Sequence, residues 1–184
     1  MVLMALRIRR FGGLILVCLL LSACASPGGS SGTLPPAPRP LSVFVVPFSN
    51  LTTTPDAGKS LTTLLSSTLL RYREFRLVAP ETLPFPLPRN VSATNMSLSM
   101  RDRLKSAGID AVLSGSAIEY TYRSELESEP VVGMNWTMTD LRSGRVLWAA
   151  SLSGVGSCFF GCSRTLTSLS SDLIGKEVAR FVGR

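Results

Sequence analysis

The chain contains no histidine in 184 residues. That absence removes the commonest general base, the Ser-His-Asp and Cys-His arrangements, and every histidine-containing metal site. Acids are few as well, 12 against 19 lysines and arginines. No Asp or Glu doublet sits in a context that would raise one carboxyl beside an ionised partner, so a two-carboxylate hydrolase has no visible centre. A glycine-rich phosphate loop and an internal repeat are also missing. The expectation is a protein that is not an enzyme, with no catalytic residues, no metal and no cofactor beyond any covalent modification.

Long apolar runs are scarce too, and the one near the start is informative. Arg7, Arg9 and Arg10 precede Leu14-Ile15-Leu16-Val17-Cys18-Leu19-Leu20-Leu21, and small residues follow. The run is roughly half the ~20 residues a helix needs to cross a bilayer, which suits a removed secretory signal. Leu21-Ser22-Ala23-Cys24 then puts a cysteine at the cleavage point and reads as a lipobox. On that reading residues 1–23 are a lipoprotein signal peptide. Cys24 becomes the first mature residue and carries covalent lipid, palmitate among its chains. The alternative is an ordinary signal cut with an incidental cysteine.

Removing the leader removes three arginines and leaves 16 basic against 12 acidic side chains. So small a surplus gives no argument for nucleic acid. Arg71, Arg73 and Arg76, and again Arg101, Arg103 and Lys105, form clusters that suit either lipid head groups and acidic neighbours or plain solvated helix ends. Residues 24–40 follow the leader as a lipidated tether. Ala25 to Pro40 is Gly, Ser and Pro with little to bury, so a flexible coil is expected. Its sixteen residues would average roughly 20 Å end to end and could not exceed about 55 Å.

Residues 41–184 have the length of one domain. Leu41-Ser42-Val43-Phe44-Val45-Val46-Pro47-Phe48 reads as a strand covered on both faces. Thr54-Pro55-Asp56 supplies a cap, a first-turn proline and an acid at the positive end of the dipole for a helix from about Pro55 to Tyr72. Leu61, Leu64, Leu65 and Leu69 sit at core spacing on it. A short strand, Arg76 to Ala79, stops at Pro80. The proline-rich stretch Pro80 to Asn95 is long for a compact domain and is a candidate contact segment.

A second helix runs from about Ser97 to Ala107, with Gly108 where a left-handed cap belongs. Three antiparallel strands follow, Ala111 to Tyr122, Val131 to Asp140 and Arg145 to Ser153, the last two joined by a turn at Asp140 to Gly144. A last helix spans about Thr165 to Phe181, with Leu166, Leu169, Leu173 and Val178 on one side. The predicted order is β-α-β-α-β-β-β-α, a mixed sheet with helices packed on it, hence α+β.

Three stretches together resemble the PelC family, outer-membrane lipoproteins of the Pel exopolysaccharide export apparatus. They are Gly115-Ser116-Ala117-Ile118-Glu119-Tyr120-Thr121-Tyr122-Arg123, Glu129-Pro130-Val131-Val132-Gly133, and Asp140-Leu141-Arg142-Ser143-Gly144-Arg145-Val146-Leu147-Trp148. The resemblance reaches upstream through Val45-Val46-Pro47-Phe48-Ser49-Asn50, nearly the whole mature chain. The Gly-Ser strand and the last hairpin recur in the wider group with CsgG, LpoB and TolB amino-terminal domains. The Glu-Pro-Val-Val-Gly step is the discriminating part.

The resemblance implies a homo-oligomeric ring on the periplasmic face of the outer membrane, held by lipid beside a β-barrel exporter. Its acidic lumen would guide a cationic, partly deacetylated polysaccharide during biofilm formation. Alternatives within the wider group are an LpoB-like activator of a periplasmic enzyme and a CsgG-like secretion component. Glu125, Glu127 and Glu129 are compatible parts: spaced by two, they share one face of an extended backbone about 7 Å apart. Repeated around a ring they would concentrate a polycation, whereas in isolation they are a solvated hairpin tip.

The segment Gly156-Ser157-Cys158-Phe159-Phe160-Gly161-Cys162 departs from the family pattern. In an oxidising compartment Cys158 and Cys162 have the spacing for a small disulfide loop, worth roughly 2 kcal/mol. Two cysteines without further ligands make a poor metal site. The family is thought to rest an aromatic residue of this loop in the membrane. Phe159 and Phe160 would contribute roughly 3–6 kcal/mol per subunit there, or else pack in the core. Trp136 and Trp148 are expected in the core or at subunit contacts, not as a sugar platform.

Overall fold

The computed structural model describes residues 29–32, 34, 39–86, 96–123, 129–156 and 164–183. Among them one mixed sheet carries seven strands: β1 (Ser30–Ser31), β2 (Leu41–Val45), β3 (Ser49–Asn50), β4 (Phe75–Val78), β5 (Ala111–Arg123), β6 (Glu129–Asp140) and β7 (Val146–Val155). Three helices accompany it: α1 (Ala57–Leu69), α2 (Leu98–Ser106) and α3 (Leu166–Val182). The sheet order is β1-β7-β6-β5-β2-β4, with β3 alongside β5. Parallel pairs β2–β4 and β2–β5 need crossovers, which α1 and α2 supply. The β5–β6–β7 meander is antiparallel. This is the α+β fold expected from the sequence.

Burial on both faces explains why β2 lacks alternation. Val43 enters the large core beneath α1 and α3, while Phe44 enters a smaller one with Leu104 of α2, Val112 and Leu141. The large core collects Leu61, Leu65 and Leu69 of α1 and Leu169, Ile174, Val178 and Phe181 of α3. They pack against Val132, Met134, Trp136 and Met138, the inward-facing alternate residues of β6. α2 covers only part of the second face. Beyond it Asn135, Ser151 and Ser153 lie exposed on the sheet.

The helix expected from Pro55 to Tyr72 is shorter, and Thr54 does not cap it. Asp56 occupies the N-cap position with φ 57°, and no side chain caps the first turn. The Thr54 hydroxyl instead donates to the Tyr120 carbonyl oxygen, so the residue ties the loop to β5. The expected Leu41–Phe48 strand ends at Val45, and after a break at residues 46–48 the chain pairs again with β5, further along it, as β3. Ser97 does cap α2, accepting from Met100 N–H at 3.2 Å. Gly108 follows that helix at φ 79°. Thr165 and Ser168 form a reciprocal capping box on α3. Leu169 and Val178 are buried as expected, but Leu166 and Leu173 are half-buried flanks; Ile174 and Phe181 complete the inner stripe.

The largest departure lies in the expected tether. Ser30 and Ser31 pair with Ala150 and Ala149 of β7, so part of the Ala25–Pro40 stretch belongs to the sheet. Leu34 packs against the large core, and its N–H donates to the Phe181 carbonyl at 3.3 Å. Arg39 grips Asp110 through two bonds of 2.6 Å. Composition pointed to coil because one leucine, one arginine and a few hydroxyls do the docking.

Candidate functional site

Strand direction brings the two sequence-selected segments to one end of the domain. β5 runs out to Arg123 and β6 returns from Glu129, which pairs directly across from it. β7 runs antiparallel to β6 and finishes beside its start: Val155 pairs with Val131, and Gly156 N–H donates to the Pro130 carbonyl at 2.8 Å. Both segment stems therefore leave from the same pole. Glu125 and Glu127, between β5 and β6, lie outside the described residues, as do Cys158, Phe159, Phe160 and Cys162, between β7 and α3. Cys24 lies outside them as well.

Glu129 is described, and it is a half-buried strand residue opposite a cation, not part of a free tip. Arg123 also reaches Glu119 at 3.3 Å on its own strand. The described part of this pole is therefore mixed in charge. On its α3 side the Tyr122 hydroxyl accepts from Leu166 N–H at 3.4 Å, and Arg164 bridges to Asp172 at 2.7 Å.

The tryptophans are core residues. Trp148 is fully buried, with its ring stacked on Phe181 at 4.3 Å and edge-on to Trp136 at 5.1 Å. Neither presents a face to a sugar. The basic clusters divide: Arg71 and Arg73 are solvated, whereas Arg76 donates twice to the Ser42 hydroxyl, at 3.0 and 2.7 Å. Lys105 pairs with Asp102 at 2.7 Å, and Arg103 lies 5.7 Å over the Phe85 ring. Phe85, Pro84 and the α2 residues Ser99, Asp102 and Arg103 line an open cavity of about 480 Å³ beside the Pro80–Asn95 stretch. Of that stretch residues 87–95 lie outside the described residues.

Two acids that sequence reasoning passed over organise the amino-terminal segment. Glu177 of α3 is 6% exposed and accepts from four donors: Ser30 Oγ at 3.0 Å, Trp148 Nε1 at 2.8 Å, and Arg180 Nε and Nη2 at 3.0 and 2.8 Å. One carboxylate thereby joins β1, β7 and α3. The signal was present in the sequence: Ser170, Ile174, Glu177 and Phe181 share a helical stripe, so Glu177 is an acid at a core position. Asp110 accepts from Arg39 and from Ser42 N–H at 2.9 Å. The Arg39 hydrogen bond holds its carboxyl below the usual range, with further help from that N–H and from the Arg39 and Arg142 charges, against a partial offset from burial.

Among the described residues no group of three or more Cys, Asp or Glu is placed to hold a metal. None of the described helices is long and apolar enough to cross a membrane.

No family model matches the chain, and no curated protein is similar to it in sequence. Solved structures do match. The chain is 28% identical to the PelC dodecamer from Paraburkholderia phytofirmans with a TM-score of 0.60, covering 85% of this chain and 99% of that one. A leucine-to-methionine variant of the same dodecamer gives 24% identity and a TM-score of 0.63 over the same shares. Lipoprotein GNA1162 from Neisseria meningitidis shares the fold at 22% identity and a TM-score of 0.56, over 77% of this chain and 99% of that one. The resemblance to the PelC family carried by the strand and hairpin motifs thus has its counterpart in three dimensions.

Proposed function

We propose that this chain is a lipoprotein of the outer membrane that faces the periplasm, assembles with copies of itself into a ring, and assists export of a cationic Pel-like exopolysaccharide through a β-barrel partner. The likeness to the PelC dodecamer over 85% of the chain is the observation that carries this reading. The lipobox supports the address, since Cys24 is the residue to which lipid would be joined.

The stems at one pole support a division of labour. Phe159 and Phe160, held in a loop that a Cys158–Cys162 disulfide would close, are apolar enough to rest in a bilayer. Glu125, Glu127 and Glu129 supply carboxylates on the neighbouring hairpin. A ring multiplies both, so weak single contacts become a firm attachment and a sustained negative field. None of this requires a catalytic residue, and the protein's role is guidance.

The test uses the processed protein extracted from membranes in mild detergent. Expected results are a lipid-bearing amino terminus, one large oligomer by light scattering, and retention of a partly deacetylated hexosamine polymer that weakens as salt rises. Cys24→Ser should leave the protein unattached to membranes. A monomer that ignores the polymer in dilute salt refutes the proposal.

A further inference from the structure

The amino-terminal segment is built into the fold at several points. Gly29 accepts from Ser151 N–H at 3.0 Å, Ser30 and Ser31 pair with β7, and the Ser30 hydroxyl reaches Glu177 inside the protein. Leu34 then enters the large core beside Phe181. Between them Gly32 turns the chain at φ 122°, where a β-carbon would overlap the Leu147 carbonyl oxygen and come within 2.9 Å of Trp148 Cα. Only glycine fits both the conformation and the space.

Direction adds the functional consequence. β1 is antiparallel to β7, so the chain that enters it at Gly29 comes from the side of Ser151 and the residues after it. That is the pole where β7 gives way to the segment bearing Phe159 and Phe160. Cys24 lies five residues before Gly29 and can stand at most about 18 Å from it. Gly156 lies five residues beyond Ser151 along an extended chain, about 17 Å. The two lengths match.

We infer that residues 29–32 and 34 form a docked strap that delivers the lipid of Cys24 to the pole where β5 ends at Arg123, β6 begins at Glu129 and β7 ends at Val155, fixing which end of the domain meets the membrane and how closely. The inference rests on the reading of Cys24 as lipid-bearing. Undocked, the chain between Cys24 and Leu41 is 16 residues and as a coil averages roughly 20 Å with no preferred pole. Docked, the span shortens to the four residues between Cys24 and Gly29, for which a coil would average roughly 10 Å. Strap docking is thus a device that turns a leash into an orienting mount.

The full processed lipoprotein in vesicles containing a trace of dansyl-labelled lipid tests this. Trp136 and Trp148 serve as native donors of energy transfer, and amide exchange of residues 29–34 is followed by mass spectrometry. Expected for the wild type are exchange at least about tenfold slower than an unstructured peptide and measurable transfer. Gly32→Val, which breaks the turn, and Leu34→Asp, which removes the apolar plug without touching the sheet, should both restore fast exchange and lower transfer while the protein stays bound. Fast wild-type exchange, or transfer unchanged in both variants, overturns the strap. Wild-type protein that fails to bind vesicles while its strap stays protected overturns the anchoring premise instead, and the mount with it.

Discussion

Replacing Glu177 by leucine isolates the most concentrated polar arrangement in the core. The side chain is 6% exposed and accepts four hydrogen bonds, of which the one from Trp148 Nε1 at 2.8 Å is fully buried. Leucine fills most of the volume and gains apolar burial, but it strands the indole N–H, at a cost of about 1–3 kcal/mol. The half-exposed Arg180 turns to water at little cost. A net loss of about 2 kcal/mol follows, roughly 4–8 °C in Tm for a domain of this size. Urea unfolding followed by far-ultraviolet circular dichroism should show a lower midpoint at unchanged slope. Trp148→Phe removes the donor, so in the double variant the two losses should fall short of their sum by about 1 kcal/mol or more. A midpoint equal to the wild type, or strict additivity, refutes the assignment of Glu177 as the acceptor on which Trp148 depends.

Asp110 predicts an acid sensitivity whose sign is fixed by its partners. Its folded carboxyl is held below the ordinary value of 3.8, so in that window the unfolded chain binds more protons and stability rises with pH. The contribution is complete above the ordinary value and disappears as pH falls through the lowered folded one. Acid titration of the unfolding midpoint should therefore show a drop below about pH 4 that is smaller in Asp110→Asn. Leu65→Ala, at a fully buried position of α1, should cost about 2–5 kcal/mol in the same urea assay; a loss under 1 kcal/mol would mean the core there is not close-packed.

Most of the scaffold was readable because its signals are local. The capped starts of α2 and α3, the glycine after α2 and the alternation of β6 each depend on a few neighbouring residues. The start of α1 differs from the expectation for a physical reason: the Thr54 hydroxyl can accept from a helix N–H as a cap or donate to a carbonyl, and donation to the Tyr120 carbonyl prevails. Docking of residues 29–34 was invisible for the same kind of reason. A Gly-Ser segment carries no pattern of its own, and its place is specified by β7, Glu177 and Phe181, all more than a hundred residues away. Of the candidate site, the sequence identified chemistry, acids and phenylalanines, without telling that their stems share a pole. That follows only from the register Val131↔Val155 and Arg123↔Glu129.

The strap also governs a sheet edge. β7 offers ten residues, and its only lateral neighbour other than β6 among the described strands is the two-residue β1. An edge of that length with its backbone groups uncovered invites pairing with another chain. β1 and Gly29 occupy the middle of it, at Ala149 to Ser151, so a foreign strand cannot run along β7 without displacing them. The opposite edge, β4, is only four residues long and carries Arg76, whose guanidinium is committed to Ser42. Both edges are thus unsuited to strand addition, and self-assembly should use side-chain surfaces while the strap is in place. Gly32→Val should expose the β7 edge and produce larger, polydisperse species that grow with concentration in light scattering. A variant with fast amide exchange at residues 29–34 but the same single assembly size as the wild type would show that β1 does not guard this edge.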